Sequence, residues 1–352
     1  MIMVLNIGLK VLCLTLSLSI FGYCFVKQSI GKINYHYNFP TGPFTNDFVE
    51  WLDSKKEFGS NLFINKSLDN KELNTFGGRK FYNDKITKTP IIFFHGNGDG
   101  ALKNGINEYS SGWSDVISTL ELYGYDSSSM YAFTYGDRNM DNAGNREMNC
   151  FVTKQFNKFI QSVLLYTNVD KVDVVGHSMG VSILRKAILG ENINGKNENC
   201  ENLPSLVNNI RNFVSISSAN YGMCACTKSV SLFMKACGLD FGFYSGSKSE
   251  NTKDKSNICG LYRYNDGDGR TEDYSTFLKS INDKNIKEGE RILSIWSEND
   301  EVLGNGNYVW GRKTSLHPQS DCVIIFKGKS HHQTKNDAGN YIFKFINGLN
   351  LQ

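Results

Sequence analysis

The sequence has no run of basic residues interleaved with aromatics, and no repeat with a period of 20–50 residues. The first absence removes the electrostatic footprint of a nucleic-acid binder, and a formal net charge of +3 on 352 residues does not restore it. The second excludes solenoids and propellers. Zinc spacing is missing too, because Cys224-Ala-Cys226 lacks the usual two-residue gap and no paired histidines lie near it. The stretch "NDGDGR" at 265–270 lacks the spaced ligands and distal glutamate of a calcium loop, so it reads as a turn. Neither a metal nor a cofactor is expected.

Charge is scarce at the N-terminus, where Lys10 is the single charged residue before Val26 and Val11–Val26 carries none. About 16 residues fall short of the ~20 that a membrane span needs. Residues 1–26 therefore read as a secretory signal, with an uncleaved anchor as the alternative. Residues 27–352 read as one domain, since α/β folds often exceed 250 residues. Secretion makes the cysteines legible. Of nine, Cys13 and Cys24 leave with the signal, and Cys150, Cys200, Cys224, Cys226, Cys237, Cys259 and Cys322 remain. Seven in an oxidising compartment imply three bridges and one odd thiol, with Cys224 and Cys226 each paired elsewhere. Asn65-Lys66-Ser67 is a glycosylation sequon expected on a surface loop.

After a polar, loop-rich segment to about residue 88, apolar runs alternate with helical patterns. "IIFFHG" (91–96), "MYAFTYG" (130–136), "VDVVG" (172–176), "FVSISS" (213–218), "RILSIW" (291–296) and "CVIIFKG" (322–328) look like buried parallel strands. Helices are expected at 112–124, at 151–166, after Gly176 up to Gly190, and in a final piece, "TKNDAGNYIFKFINGL". This alternation predicts an α/β fold with a mostly parallel central sheet, helices on both faces and sites at the carboxyl ends of the strands. Residues 219–275 break the rhythm and read as a Cys-rich insertion that shapes a pocket. It lacks a strong apolar stripe, which argues against a large lid.

In "VVGHSMG", Ser178 stands between a strand and a helix with glycines two residues before and two after. That is the setting of a strained, exposed nucleophile at the sharp strand-to-helix turn. A serine needs a base and an orienting acid, in the chain order Ser, Asp or Glu, His. His331 and His332 follow the last strand, whereas His317 precedes it. Asp300 follows "RILSIW", ahead of the weaker candidates Glu298 and Glu301, and Asp321 lies at the wrong end of the sheet. Oxyanion donors are expected from the main-chain amides of Met179 and Asn97. His95 and His177 read as packed loop residues.

The pieces "PIIFFHGNGDGA", "KVDVVGHSMGVSILRKAI", "SSANYG" with "CAC", "YSTFL", "WSENDEVLG" and "SHHQTK" run in order from about 89 to 335. Together they resemble the class 2 lipase family of secreted α/β-hydrolases. The resemblance implies a lipase or carboxylesterase acting through Ser178, Asp300 and His331, the last chosen over His332 because it aligns with the family's base. It also implies a lipid or ester substrate, a compact core with little or no lid, and transient contact with a lipid interface. A thioesterase or acyltransferase with the same triad, or a secreted binding protein on the same fold, are the alternatives.

Overall fold

Side chains on a strand point alternately to opposite faces, and here both faces are apolar. In the computed structural model the residues described are 39–190, 202–247, 259–260 and 273–351, with the main chain of 194–195 and 198–199. The proposed signal at 1–26 and the "NDGDGR" turn lie outside the described residues. Seven strands form one sheet: β1 (Thr75–Phe76), β2 (Ile91–Phe94), β3 (Met130–Phe133), β4 (Val172–His177), β5 (Ile210–Ile216), β6 (Arg291–Ser297) and β7 (Cys322–Phe326). Their spatial order is β1-β3-β2-β4-β5-β6-β7, all parallel except β1, which pairs antiparallel with β3. On β2, Ile91 and Phe93 enter one core while Ile92 and Phe94 enter the other.

Helices cover both faces. The second core is closed by α2 (Ser114–Leu122) and α7 (Gly339–Ile346), which contribute Trp113 from just before α2, Val116, Ile117, Ile342 and Phe345. The first core takes α3 (Cys150–Thr167), α4 (Met179–Leu189) and α5 (Thr276–Asn282), with Phe156, Phe159, Val181, Leu184 and Phe277. This is the α/β-hydrolase arrangement. The chain runs from β2 to β3 on one side and then crosses to β4 on the other. The loops after β2 and β4 consequently meet at the switch point where such sheets hold their sites.

Two elements differ from the sequence reading. The stretch before residue 88 is not only loop: α1 (Asn46–Asp53) is capped by the Thr45 hydroxyl and buries Phe48 and Leu52. Phe48 packs on Tyr166 and Tyr131 at ring-centroid distances of 4.6 and 5.4 Å. The final helix is two, α6 (His331–Asn336) and α7. Gly339, the first residue of α7, lies so close to α2 that a Cβ there would stand 2.7 Å from the Cβ of Thr119. The break lets α6 face the site while α7 packs on the sheet.

Disulfides join Cys224 to Cys259 and Cys226 to Cys237, Cys150 is also disulfide-bonded, and Cys322 is free. The insertion differs from expectation in one respect. The Cys226–Cys237 loop exposes three large apolar residues in a row, Leu232 at 74%, Phe233 at 84% and Met234 at 42%.

Candidate active site

Ser178 joins β4 to α4 with φ of 53°, a left-handed conformation that costs a non-glycine residue energy. The turn is possible because Gly180 lies against the loop after β2. A Cβ on Gly180 would fall 2.2 Å from the His95 carbonyl oxygen. The helix α4 thus starts directly under Ser178, with Met179 as its first residue.

His331 opens α6, whose N-terminus is held by a capping box between Ser330 and Gln333. Its Nδ1–H donates to Asp300 Oδ2 at 2.7 Å. Asp300 Oδ1 accepts from the amides of Leu303 at 2.9 Å and Val302 at 3.1 Å. Burial by itself would raise the Asp300 pKa, but the His331 bond and the Leu303 amide outweigh it, so the carboxyl sits below its ordinary range. Glu298 is exposed, and Glu301 accepts the main-chain amide of His331 at 2.9 Å. The geometry therefore pairs Asp300, not either glutamate, with the imidazole of His331.

The loop after β2 is fastened on its outer side. Asn97 donates from its side chain to the Ala143 carbonyl at 2.9 Å and accepts from Arg146 at 2.7 Å. His95 Nε2 accepts from the Tyr135 amide, and burial holds that imidazole neutral, its pKa pushed down to about 3. Ser178, Asn97, Met179 and His331 all line one cavity of about 260 Å³. Its walls are largely apolar and rich in sulfur, with Met140, Met223, Met234, Phe243, Val302 and the Cys226–Cys237 bridge. Each predicted site residue is thus either on this wall or, for Asp300, bonded to a residue that is.

Asp99, His177 and His332 hold three metal-ligand atoms within 4.8 Å of one another, the one such group among the described residues. The Lys335 ammonium already pairs with Asp99 Oδ2, so the one carboxylate of the group is neutralised by a fixed cation. The cluster therefore does not fit a metal. Burial, then the Lys335 charge, push His332 down to about 3, and burial followed by the His331 charge hold His177 well below its ordinary value.

Arg185 on α4 was not singled out by sequence, and nothing local marks it. It is 2% exposed and donates to Glu288 at 2.7 Å, Asn282 at 2.7 Å, the Ile281 carbonyl at 2.8 Å and Asn220 at 2.9 Å. Glu288 also faces His317 at 3.1 Å. Burial opposes ionisation of Glu288, but Arg185 and His317 overcome it and bring the carboxyl from its ordinary 4.5 to about 2. A depressed carboxyl stabilises the fold above pH 4.5, and that stability is lost as the pH falls toward 2. Arg185→Met strands the buried carboxylate and should cost about 3–5 kcal/mol in urea unfolding at pH 7, with a smaller loss at pH 3. An equal loss at both pH values would refute this account.

The family model described as Lipase (class 2) matches residues 88–344. Similar solved structures include a lipase, BlEst2, of Bacillus licheniformis in its propeptide form (16% identity, 77% of this chain and 52% of that one, TM-score 0.42). Lipase B of Aspergillus fumigatus (14%, 75% and 53%, TM-score 0.40) and the carboxylesterase CesB of Bacillus subtilis (13%, 86% and 97%, TM-score 0.38) are similar as well. The chain spans about half the length of those two lipases. No curated protein matches it.

Proposed function

The chain belongs to the class 2 lipase family, and from that premise we propose that it is a secreted serine hydrolase that cleaves carboxylic esters of lipids. The observation that carries the reading is the 2.7 Å bond that His331 donates to Asp300, His331 being an imidazole on the wall of the cavity that Ser178 also lines. Ser178 Oγ attacks the ester carbonyl while His331 takes its proton. The amides of Met179 and Asn97 hold the oxyanion. His331 returns the proton to the departing alkoxide, leaving an acyl-serine and a free alcohol. Water, deprotonated by His331, then cleaves the acyl-enzyme to the carboxylic acid and restores Ser178. Asp300 keeps Nδ1 protonated and stabilises the imidazolium. The disulfides suit an oxidising compartment, and among the described residues no helix is long and apolar enough to cross a membrane.

Hydrolysis of p-nitrophenyl esters from acetate to palmitate tests the reading, together with mapping of the residue labelled by a fluorophosphonate. Turnover with the label on Ser178 is expected. Label elsewhere would sink the mechanism, and cleavage of sulfur esters alone would make the chain a thioesterase.

Contact with lipid belongs, in this reading, at Leu232 and Phe233, because the same disulfide-closed loop sends Val230 and Met234 into the cavity wall. Burying such side chains in an apolar phase is favourable by about 1.5–3 kcal/mol each when complete. The double change Leu232→Ser, Phe233→Ser should therefore lower turnover of an emulsified long-chain ester by roughly tenfold to a hundredfold. Turnover of dissolved acetate ester should stay within about twofold. Equal losses on both substrates would place the defect in the pocket instead.

A further inference from the structure

Beneath the site, two charges with no part in the proposed chemistry meet out of contact with water. Asp99 lies two residues after Asn97, in the loop expected to supply an oxyanion donor, and Lys335 lies one helical turn after His331 on α6. Both side chains are fully buried, and the Lys335 ammonium donates to Asp99 Oδ2. The other carboxylate oxygen accepts from the Gly112 amide at 2.8 Å, which ties the pair to the start of α2. The ammonium also stands 5.5 Å from the Trp113 ring centroid. His332 Nδ1 is 3.9 Å from the same Asp99 oxygen, and the Nδ1 atoms of His177 and His332 have no hydrogen-bond partner among the described residues.

Burying two charges is costly, and an apolar pair of similar volume is often as stable or more so. A bond of this kind is directional, however, whereas apolar contact is not. We propose that the Asp99–Lys335 pair is a latch that fixes the loop carrying Asn97 against the helix carrying His331, and so sets the spacing between oxyanion donor and base. The two ends lie 236 residues apart in sequence, and the latch joins them directly. Neither residue touches the reacting atoms, so both are positioning residues. Lys335 supplies the positive charge that Asp99, grouped with His177 and His332, would otherwise offer to a metal ion. The inference builds on the ester-hydrolase reading of the site.

The test compares the full chain with Asp99→Asn, Lys335→Met and the double variant Asp99→Asn, Lys335→Met. It uses a dissolved p-nitrophenyl ester, urea unfolding, and amide hydrogen exchange at 96–100 and 331–336. Each single variant leaves one charge buried alone and should lower the unfolding midpoint. The double variant removes both charges of the pair, so its midpoint should return toward that of the parent. Its kcat should nonetheless stay roughly tenfold to a hundredfold down, with KM changed less than about threefold, because misplacement by about 1 Å is enough. Exchange should quicken in both segments together. If the single variants do not fold, the double variant carries the comparison. Recovery of kcat along with stability would make the pair merely structural and overturn the latch. Saturable zinc binding lost in Asp99→Asn would overturn it too, in favour of a metal. If the parent cleaves no ester but exchange still quickens in both segments of the variants, the latch stands and the hydrolase reading falls, whereas unchanged exchange in the variants would discard the latch alone.

Discussion

Ser178→Ala is expected to lower kcat by about a million-fold, the loss seen when a triad nucleophile is removed. The substitution deletes one oxygen and keeps Cβ, so the strained turn at φ of 53° is neither relieved nor worsened. Gly180 still lets α4 approach the His95 carbonyl, and the cavity wall is otherwise untouched. Stability should therefore stay within about 0.5 kcal/mol of the parent, and KM should change little, because binding does not depend on the attacking oxygen. The measurement is kcat on p-nitrophenyl butyrate, with urea unfolding beside it. A residual of more than a tenth of the activity would exclude Ser178 as the nucleophile. Loss of the fluorophosphonate label in the same variant is the independent check, since labelling reports the serine without any turnover.

What could be read from the sequence was local. The strand β4, the serine turn and the helix α4 are consecutive, so glycine spacing and an apolar run sufficed to place them. Asp300 was legible because a loop after a strand's carboxyl end has few other places to point. The choice between His331 and His332 was not legible from the residues, because they are neighbours in sequence at the start of α6. Geometry separates them: His331 bonds to Asp300, while His332 faces Asp99 and Lys335. The helix α1 is only eight residues long, so its apolar positions Phe48, Val49, Trp51 and Leu52 span about two turns and stand out little from the polar residues on either side. The break between α6 and α7 falls just before Gly339, whose close approach to Thr119 joins positions over two hundred residues apart that no local pattern links. Asp99–Lys335 and Arg185–Glu288 are the same kind of case. Each half reads as an ordinary surface charge until the fold buries it against the other.

Asp300→Asn should cost roughly ten-thousand-fold in kcat/KM, less than loss of the serine. The reason is a proton's position. A carboxylate can only accept, so it holds a proton on His331 Nδ1 and leaves Nε2 free to receive one from Ser178. An asparagine can present its NH₂ to Nδ1, which moves the ring proton to Nε2 and leaves no acceptor for the serine. It also removes the negative charge that stabilises the imidazolium. Glu301 cannot step in without giving up the His331 amide that it holds at 2.9 Å. The pH dependence comes from the same carboxylate. Its folded pKa lies below the ordinary value, so ionised Asp300 stabilises the fold above the unfolded-state pKa, and that contribution is lost as the pH falls through the folded one. The stability gap between parent and Asp300→Asn should therefore be wide at pH 7 and narrow in acid. Both are read from urea midpoints at pH 7 and pH 3, with kcat/KM on the acetate ester at pH 7. A variant that keeps most of its activity would move the orienting role to Glu301. A variant equally weakened at both pH values would show that Asp300 acts through its shape, not through its charge.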